Sequence, residues 1–260
     1  MVQGVAVVTG GASGIGEAAA RRLAEVGHPV ALGDLNAERG AAIAADIARS
    51  GVAARFYSCD VADPAAVDDV AALIEREMGP VGILVTAAGL LHSADTLLDI
   101  DLASHDRLWR VNYHGTVHAC RSFGRAMSER RKGAIVTIGS INSLAALPLP
   151  AYGPSKAAIM RLTEILAVEL GRHGIRVNSV GPTYTLSPGL KAKIDAGERD
   201  VGAIKSVHAL DMLVEPRHIA DSIAFLCSDQ AAAITGILLP VDAGYLAAVT
   251  YRTYAGGVPW

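Results

Sequence analysis

The 260-residue chain has only three cysteines, Cys59, Cys120 and Cys227, and no two of them stand in C-x-x-C spacing. That scarcity argues against a disulfide framework or a zinc site and predicts buried thiols. Aromatic residues make up only 5% of the chain. Basic residues give no surplus: 23 Lys and Arg stand against 26 Asp and Glu, for a formal charge of −3. Nucleic acid would need a positive field, so that class of partner is not expected. No uninterrupted apolar run reaches the roughly 18 residues of a membrane span. Met1-Val2-Gln3-Gly4 carries no basic leader before strand-like text begins, which predicts a cytoplasmic protein.

Glycine is plentiful, with 27 residues, and 51% of the chain is hydrophobic. Apolar β-type runs recur at Gly4–Thr9, Pro29–Asp34, Val52–Ser58, Val81–Val85, Ala134–Ile138, Ile175–Val180 and Gly236–Asp242. Each is nearly all apolar rather than alternating, as in strands buried on both faces of a parallel sheet. Helix-length stretches rich in Ala, Leu, Glu and Arg lie between them: Glu17–Val26, Ala37–Ser50, Pro64–Met78 and Lys156–Arg172. Such alternation predicts an α/β fold, a Rossmann-like doubly wound parallel sheet of about seven strands. One domain spans 1–260 and ends in a C-terminal tail, 245–260.

The first strand runs into Thr9-Gly10-Gly11-Ala12-Ser13-Gly14-Ile15-Gly16 and then a helix. Glycines there permit a tight turn and a close approach of backbone to a pyrophosphate, and the helix N-terminus offers N–H groups and a positive dipole end. Asp34 ends the second strand, eighteen residues after Gly16. A carboxylate there accepts from the adenosine ribose hydroxyls and repels a 2′-phosphate, so NAD is favoured over NADP. Leu35 follows it and Ser13 occupies the loop, so no nearby cation is evident. The competing reading of Asp34 is a helix N-cap before Asn36-Ala37-Glu38. Cys59-Asp60-Val61 meets the adenine or caps the helix that opens at Asp63-Pro64; both readings stand.

Tyr152-Gly153-Pro154-Ser155-Lys156 places a phenol and an ammonium one turn apart on a helix face. A free phenol is ionised about one time in a thousand at pH 7. Lowering its pKa by about 3 units requires roughly 4 kcal/mol, which a close cation reinforced by a charged nicotinamide can supply. The phenolate then takes a hydroxyl proton while hydride leaves the same carbon. Ser140, twelve residues earlier at a strand end, can hydrogen-bond a substrate oxygen. Asn112, inside a helical stretch, can bind a main-chain carbonyl and hold a water. The plainer readings are a turn-forming serine and a helix-bending asparagine.

Together, Thr9–Gly16, Asp34, Asp60, Asn112, Ser140, Tyr152–Lys156, Arg176-Val177-Asn178, Pro182, Thr235-Gly236 and Val241-Asp242-Ala243-Gly244 resemble the short-chain dehydrogenase/reductase family across essentially the whole chain. The resemblance implies that Tyr152 is the general acid/base and that Lys156 lowers its pKa while binding the nicotinamide ribose. It implies that Ser140 orients the carbonyl and that Asn112 anchors a relay water. The cofactor set it implies is Gly10, Ser13, Gly14, Ile15, Gly16, Asp34, Leu35, Asp60, Val61, Ala88, Gly89, Tyr152, Lys156, Pro182, Thr183 and Thr185, with 182–187 at the carboxamide end. It further implies a homotetramer or dimer built on the helices holding Asn112 and Tyr152.

Three departures from the family pattern stand out. Thr86-Ala87-Ala88-Gly89 replaces Asn-Asn-Ala-Gly, Pro182-Thr183 replaces Pro-Gly, and the gap from Ser140 to Tyr152 is one residue short. Ser143 is therefore the runner-up to Ser140. The expected substrate pocket comprises Leu90, Leu91, His92, Ile141, Asn142, Leu149 and Tyr184. His92, Asn142 and Tyr184, with Ser140 and Tyr152, suit a polyol, sugar-like or cyclic hydroxylated alcohol. His114 and His118 stand four apart without an acid to complete a metal set, so no metal is expected. The function expected is hydride transfer between NAD(H) and a secondary alcohol or ketone. The alternatives are an NADP-dependent carbonyl reductase and a non-catalytic dinucleotide sensor. No G-x-S-x-G elbow supports a serine hydrolase. The aromatic, Gly/Pro-rich tail is expected at a subunit contact or the pocket mouth.

Overall fold

The computed structural model describes residues 4–91 and 96–258. Seven parallel strands form one sheet: β1 (Val5–Thr9), β2 (Val30–Asp34), β3 (Ala54–Ser58), β4 (Val81–Thr86), β5 (Gly133–Ile138), β6 (Ile175–Pro182) and β7 (Leu238–Val241). Their spatial order is β3-β2-β1-β4-β5-β6-β7. Chain direction across the sheet therefore reverses between β1 and β4, where a crevice opens beyond the carboxyl ends of the strands.

Alternation within β1 divides the core. Ala6 and Val8 pack on α1 (Gly14–Glu25), α2 (Ala37–Arg49) and α9 (Pro216–Cys227) through Leu23, Ile43, Ile47, Ile219 and Ile223. Val5 and Val7 face α3 (Pro64–Glu77), α5 (Gly115–Arg130) and α6 (Tyr152–Gly171) through Val67, Ile74, Phe123, Met127 and Ala167. Both sheet faces are covered, which is why the central strands read as unbroken apolar runs. β3 differs: Ala54, Arg55, Phe56 and Ser58 are partly or fully exposed, because it is an edge strand and not one buried on both faces.

The remaining helices are α4 (Leu102–Trp109), α7 (Pro188–Asp195), α8 (Val201–Ser206) and α10 (Tyr245–Arg252). Between α4 and α5 the chain makes one π-turn, Arg110–His114, which holds Asn112. All three cysteines are free and buried. Burial pushes the Cys59 thiol up to about 11 and Cys120 and Cys227 up to about 12. Among the described residues no helix is long and apolar enough to cross a membrane.

Candidate active site

The loop after β1 is shaped by contacts that leave no room for a side chain. A Cβ on Gly16 would lie 2.0 Å from the Gly10 carbonyl oxygen, and one on Gly10 would lie 2.5 Å from the Ala88 nitrogen. Gly10 and Gly14 also hold positive φ, 69° and 52°. The result draws the start of α1 against β1, with the N–H groups of its first turn free of the helix's own ladder. Asp34 sits beside this turn. Its carboxylate accepts from Ala12 N at 3.0 Å and from Asn36 N at 2.9 Å. Asn36, not Asp34, caps α2, accepting from Arg39 N. Asp63 likewise caps α3, while Asp60 closes a turn onto Ala62 N. Both acids are therefore released from the capping role. Leu35 is exposed and Val61 buried, its carbonyl oxygen 2.9 Å from His118 Nδ1.

One cation does approach the loop, contrary to the sequence expectation. Arg39 Nε donates to the Ala12 carbonyl at 3.0 Å, and its guanidinium pairs with Glu17 at 3.1 Å. One turn into α2, it returns to the loop by folding, five positions beyond Asp34 and outside any local motif.

The loop after β4 lies alongside. Ala87 N donates to Thr9 O, and Gly89 approaches both Asn112 and Lys156. Thr86 stands where the family has an amide, and its buried hydroxyl has no partner. Asn112 is fully buried and reads the Leu90 backbone twice, accepting from N at 2.7 Å and donating to O at 3.0 Å. Both ends of its amide thus touch the loop. Its own main-chain carbonyl, within the π-turn, accepts from Thr116 Oγ1 at 2.7 Å.

Ser140, Tyr152 and Lys156 converge just beyond β5. Ser140 Oγ accepts from Asn142 N at 3.1 Å and from Asn142 Nδ2 at 3.2 Å. Its own proton is then free to donate, and its hydrogen bond lowers the Tyr152 phenol. Ser143 donates instead to the Lys156 main-chain carbonyl at 2.9 Å, which leaves Ser140 as the serine that meets Tyr152. The Lys156 ammonium donates to Ile138 O at 2.7 Å and lies 5.5 Å from the Tyr152 ring centroid. Burial pushes that ammonium down to about 8. Burial likewise raises Tyr152 above the ordinary phenol value, outweighing the Ser140 bond. The depression expected from Lys156 is thus not a property of the chain alone. The ammonium gives one of its three N–H groups to Ile138 O, and desolvation of the phenol dominates.

At the outer edge, Ile141 is buried, Leu90, Leu149 and Tyr184 are half-buried, and Leu91 is exposed. Asn142 Oδ1 is buried without a partner. His92 lies outside the described residues. Tyr184 meets Tyr245 of α10 edge-on at 6.3 Å, so the C-terminal helix packs on the loop after β6. Thr183 and Thr185 follow β6, and Thr185 donates to the Thr183 carbonyl at 3.0 Å. His114 and His118 stack at 6.3 Å.

The residues fit a nicotinamide dinucleotide. A helix N-terminus opened by Gly14 and Gly16 lies at the switch point, the Asp34 carboxylate lies beside it, and the Lys156 ammonium is buried beyond β5. Ser187 comes within 3.6 Å of a Cβ placed on Gly14, so the loop after β6 borders the glycine loop. Fold and site thus define an oxidoreductase on a dinucleotide-binding sheet.

Comparisons with known proteins agree. The family described as "Enoyl-(Acyl carrier protein) reductase" matches residues 10–246. The chain is 38% identical over 250 residues to 2,3-dihydro-2,3-dihydroxybenzoate dehydrogenase of Bacillus subtilis, covering 92% of this chain and 95% of the relative. An NAD+-bound xylitol dehydrogenase superposes with a TM-score of 0.88 at 30% identity, over 93% of this chain and 98% of the other. ElxO with NADP bound gives 0.87 at 29%, over 95% and 100%. The chain belongs to the short-chain dehydrogenase/reductase family. It is an enzyme that exchanges hydride at the CH–OH group of a secondary alcohol, with a nicotinamide dinucleotide as coenzyme.

Proposed function

We propose that the protein is an NAD(H)-dependent dehydrogenase of secondary alcohols that carry a second hydroxyl, as in polyols and cyclic diols. The observation that carries this is the meeting of Ser140, Tyr152 and Lys156, with the unpaired Asn142 Oδ1 beside them. The nicotinamide ring, when bound, accepts or returns hydride. Tyr152 holds the proton at its hydroxyl oxygen and takes it from the alcohol, or gives it to the carbonyl. Ser140, polarised by two N–H donors from Asn142, donates to the substrate oxygen or to Tyr152. Lys156, held to Ile138 O, supplies positive charge on the coenzyme side. Asn112 fixes the loop at Leu90, with one amide N–H and one lone pair left for a relay water. Asn142 Oδ1 accepts from a neighbouring hydroxyl, a contact whose absence costs about 1–3 kcal/mol for a buried polar atom. Xylitol and a dihydrodiol, the compounds named for two relatives, both carry adjacent hydroxyls.

The test is Tyr152→Phe. Turnover of NAD with a vicinal diol should fall at least about a thousandfold, while NADH fluorescence titration gives an unchanged Kd. Parent-like turnover in a folded, coenzyme-saturated sample would overturn the mechanism.

A second reading, NADP dependence, is favoured by Arg39 alone. Its charge is already met by Glu17, whereas the Asp34 carboxylate has no cationic partner among the described residues and its oxygens are aligned by Ala12 N and Asn36 N. NADH should therefore bind at least about tenfold tighter than NADPH, with Asp34→Ala erasing the difference. A parent that prefers NADPH would decide for the second reading. A sensor without chemistry would have no use for the Ser140–Tyr152–Lys156 cluster. The outer face of α6, where Ile165 is 47% and Val168 78% exposed, supports assembly into a dimer or tetramer, to be checked by light scattering. Three unpaired thiols suit a reducing cytoplasm.

A further inference from the structure

Where the family reads Pro-Gly, this chain carries Pro182-Thr183, and the added side chain has a dedicated partner. Thr183 Oγ1 lies 3.1 Å from His208 Nε2, and both residues are buried. The other ring nitrogen, Nδ1, is 2.9 Å from the Met212 carbonyl oxygen. A carbonyl only accepts, so Nδ1 bears the proton and Nε2 is an acceptor. Thr183 must then donate, which sets the direction of its hydroxyl and leaves its lone pairs for another donor.

His208 is itself held from outside. Tyr245 meets its ring edge-on at 6.3 Å. Arg252 Nη2 donates to its carbonyl at 2.8 Å, and Arg252 Nη1 donates to Ser206 O. Ala209 N and Leu210 N both donate to Ala243 O, at 2.9 and 3.0 Å. The segment 206–212 is thus pinned to the C-terminal helix on one side and to the loop after β6 on the other.

We propose that His208 is a positioning residue for the coenzyme. Through Thr183 it fixes the loop 183–187, and it relays the placement of α10 to that loop. The proposal rests on the reading above that 182–187 meets the nicotinamide end. Thr183→Val keeps the shape and removes only the hydroxyl, leaving His208 Nε2 buried without a donor; Thr183→Ser restores the donor. NADH fluorescence titration on the full chain should give a Kd about tenfold weaker for Thr183→Val and for His208→Phe. Thr183→Ser should stay within threefold of the parent. Because the two residues act as one unit, the double variant should be no weaker than the worse single. In thermal melts, saturating NADH should raise Tm less in Thr183→Val than in the parent.

A Thr183→Val that binds NADH within twofold of the parent overturns the proposal, and so do single effects that multiply in the double variant. Each of those outcomes leaves the dehydrogenase reading intact. A parent that binds neither NADH nor NADPH defeats that reading and this one with it.

Discussion

Around the glycine loop the groups that act are main-chain atoms, whereas around Ser140 and Thr183 they are side-chain atoms held by other side chains. Gly10 and Gly16 work by what they lack, because any Cβ would strike a neighbouring backbone. Ser140 and Thr183 work through Asn142 and His208, two and twenty-five positions away. A site built from backbone needs particular residues at fixed local spacing, and it tolerates little variation. A site built from side-chain pairs can change substrate by changing a pair, without disturbing the sheet that carries it.

The sharpest way to break this contrast is Gly16→Ala. The new methyl would meet Gly10 O at 2.0 Å and Gly10 C at 2.7 Å, so α1 must move away from β1. Destabilisation of about 3 kcal/mol or more and loss of detectable NADH binding are expected. Gly14→Ala is the control. Its φ of 52° strains a side chain, but no atom lies closer than 3.6 Å, so only about 1–2 kcal/mol should be lost. Equal melting temperatures for the two variants would show that close approach does not shape this loop.

Asn142→Ala probes the side-chain end. The variant removes the side-chain donor Nδ2 from Ser140 and the spare acceptor Oδ1, so kcat/KM should fall for every alcohol. The backbone donor of Asn142 survives the change, which limits the general loss. For a vicinal diol the fall should exceed that for a matched mono-alcohol by about tenfold, the equivalent of one buried hydrogen bond. A diol-to-mono-alcohol ratio that does not change would remove Asn142 from substrate recognition and leave it as the support of Ser140.

The same contrast governs what could be read from the chain. The seven strands were legible because each is a short apolar run bounded by turns, and the glycine loop because its spacing is local. Edge strand β3 was misjudged because Arg55 and Ser58 were read together with their apolar neighbours, and edge position is a tertiary fact. Arg39 was overlooked because it reaches Ala12 from the next helix. His208 had no local signal at all. Its partner Thr183 was noticed only as a glycine missing from its place, and the reason for the exchange lies in a segment twenty-five residues further on. The partner of the Lys156 ammonium was out of sight for a different cause. Spacing places Lys156 one turn from Tyr152, but the Ile138 carbonyl that holds its ammonium belongs to β5.

Lys156 gives the most direct measure of what the site costs the fold. Its pKa is lowered from 10.5 to about 8 by burial, so the unfolded chain binds the extra proton between those two values. Stability should consequently rise with pH from about 8 to 10.5 as the native lysine sheds its charge, and the penalty is present in full below about 8. Lys156→Met removes that titration. At pH 7 the variant should gain at most about 3 kcal/mol, less the lost hydrogen bond to Ile138 O. The advantage should shrink as pH rises from about 8 towards 10, because the native lysine has by then shed its proton, while the raised Tyr152 is present in both chains and cancels from the difference. Urea denaturation of parent and variant at pH 7, 8, 9 and 10 measures this directly. A stability difference that does not vary with pH would mean that the ammonium is not desolvated, and that the cluster of Ser140, Tyr152 and Lys156 opens to water more than its packing indicates.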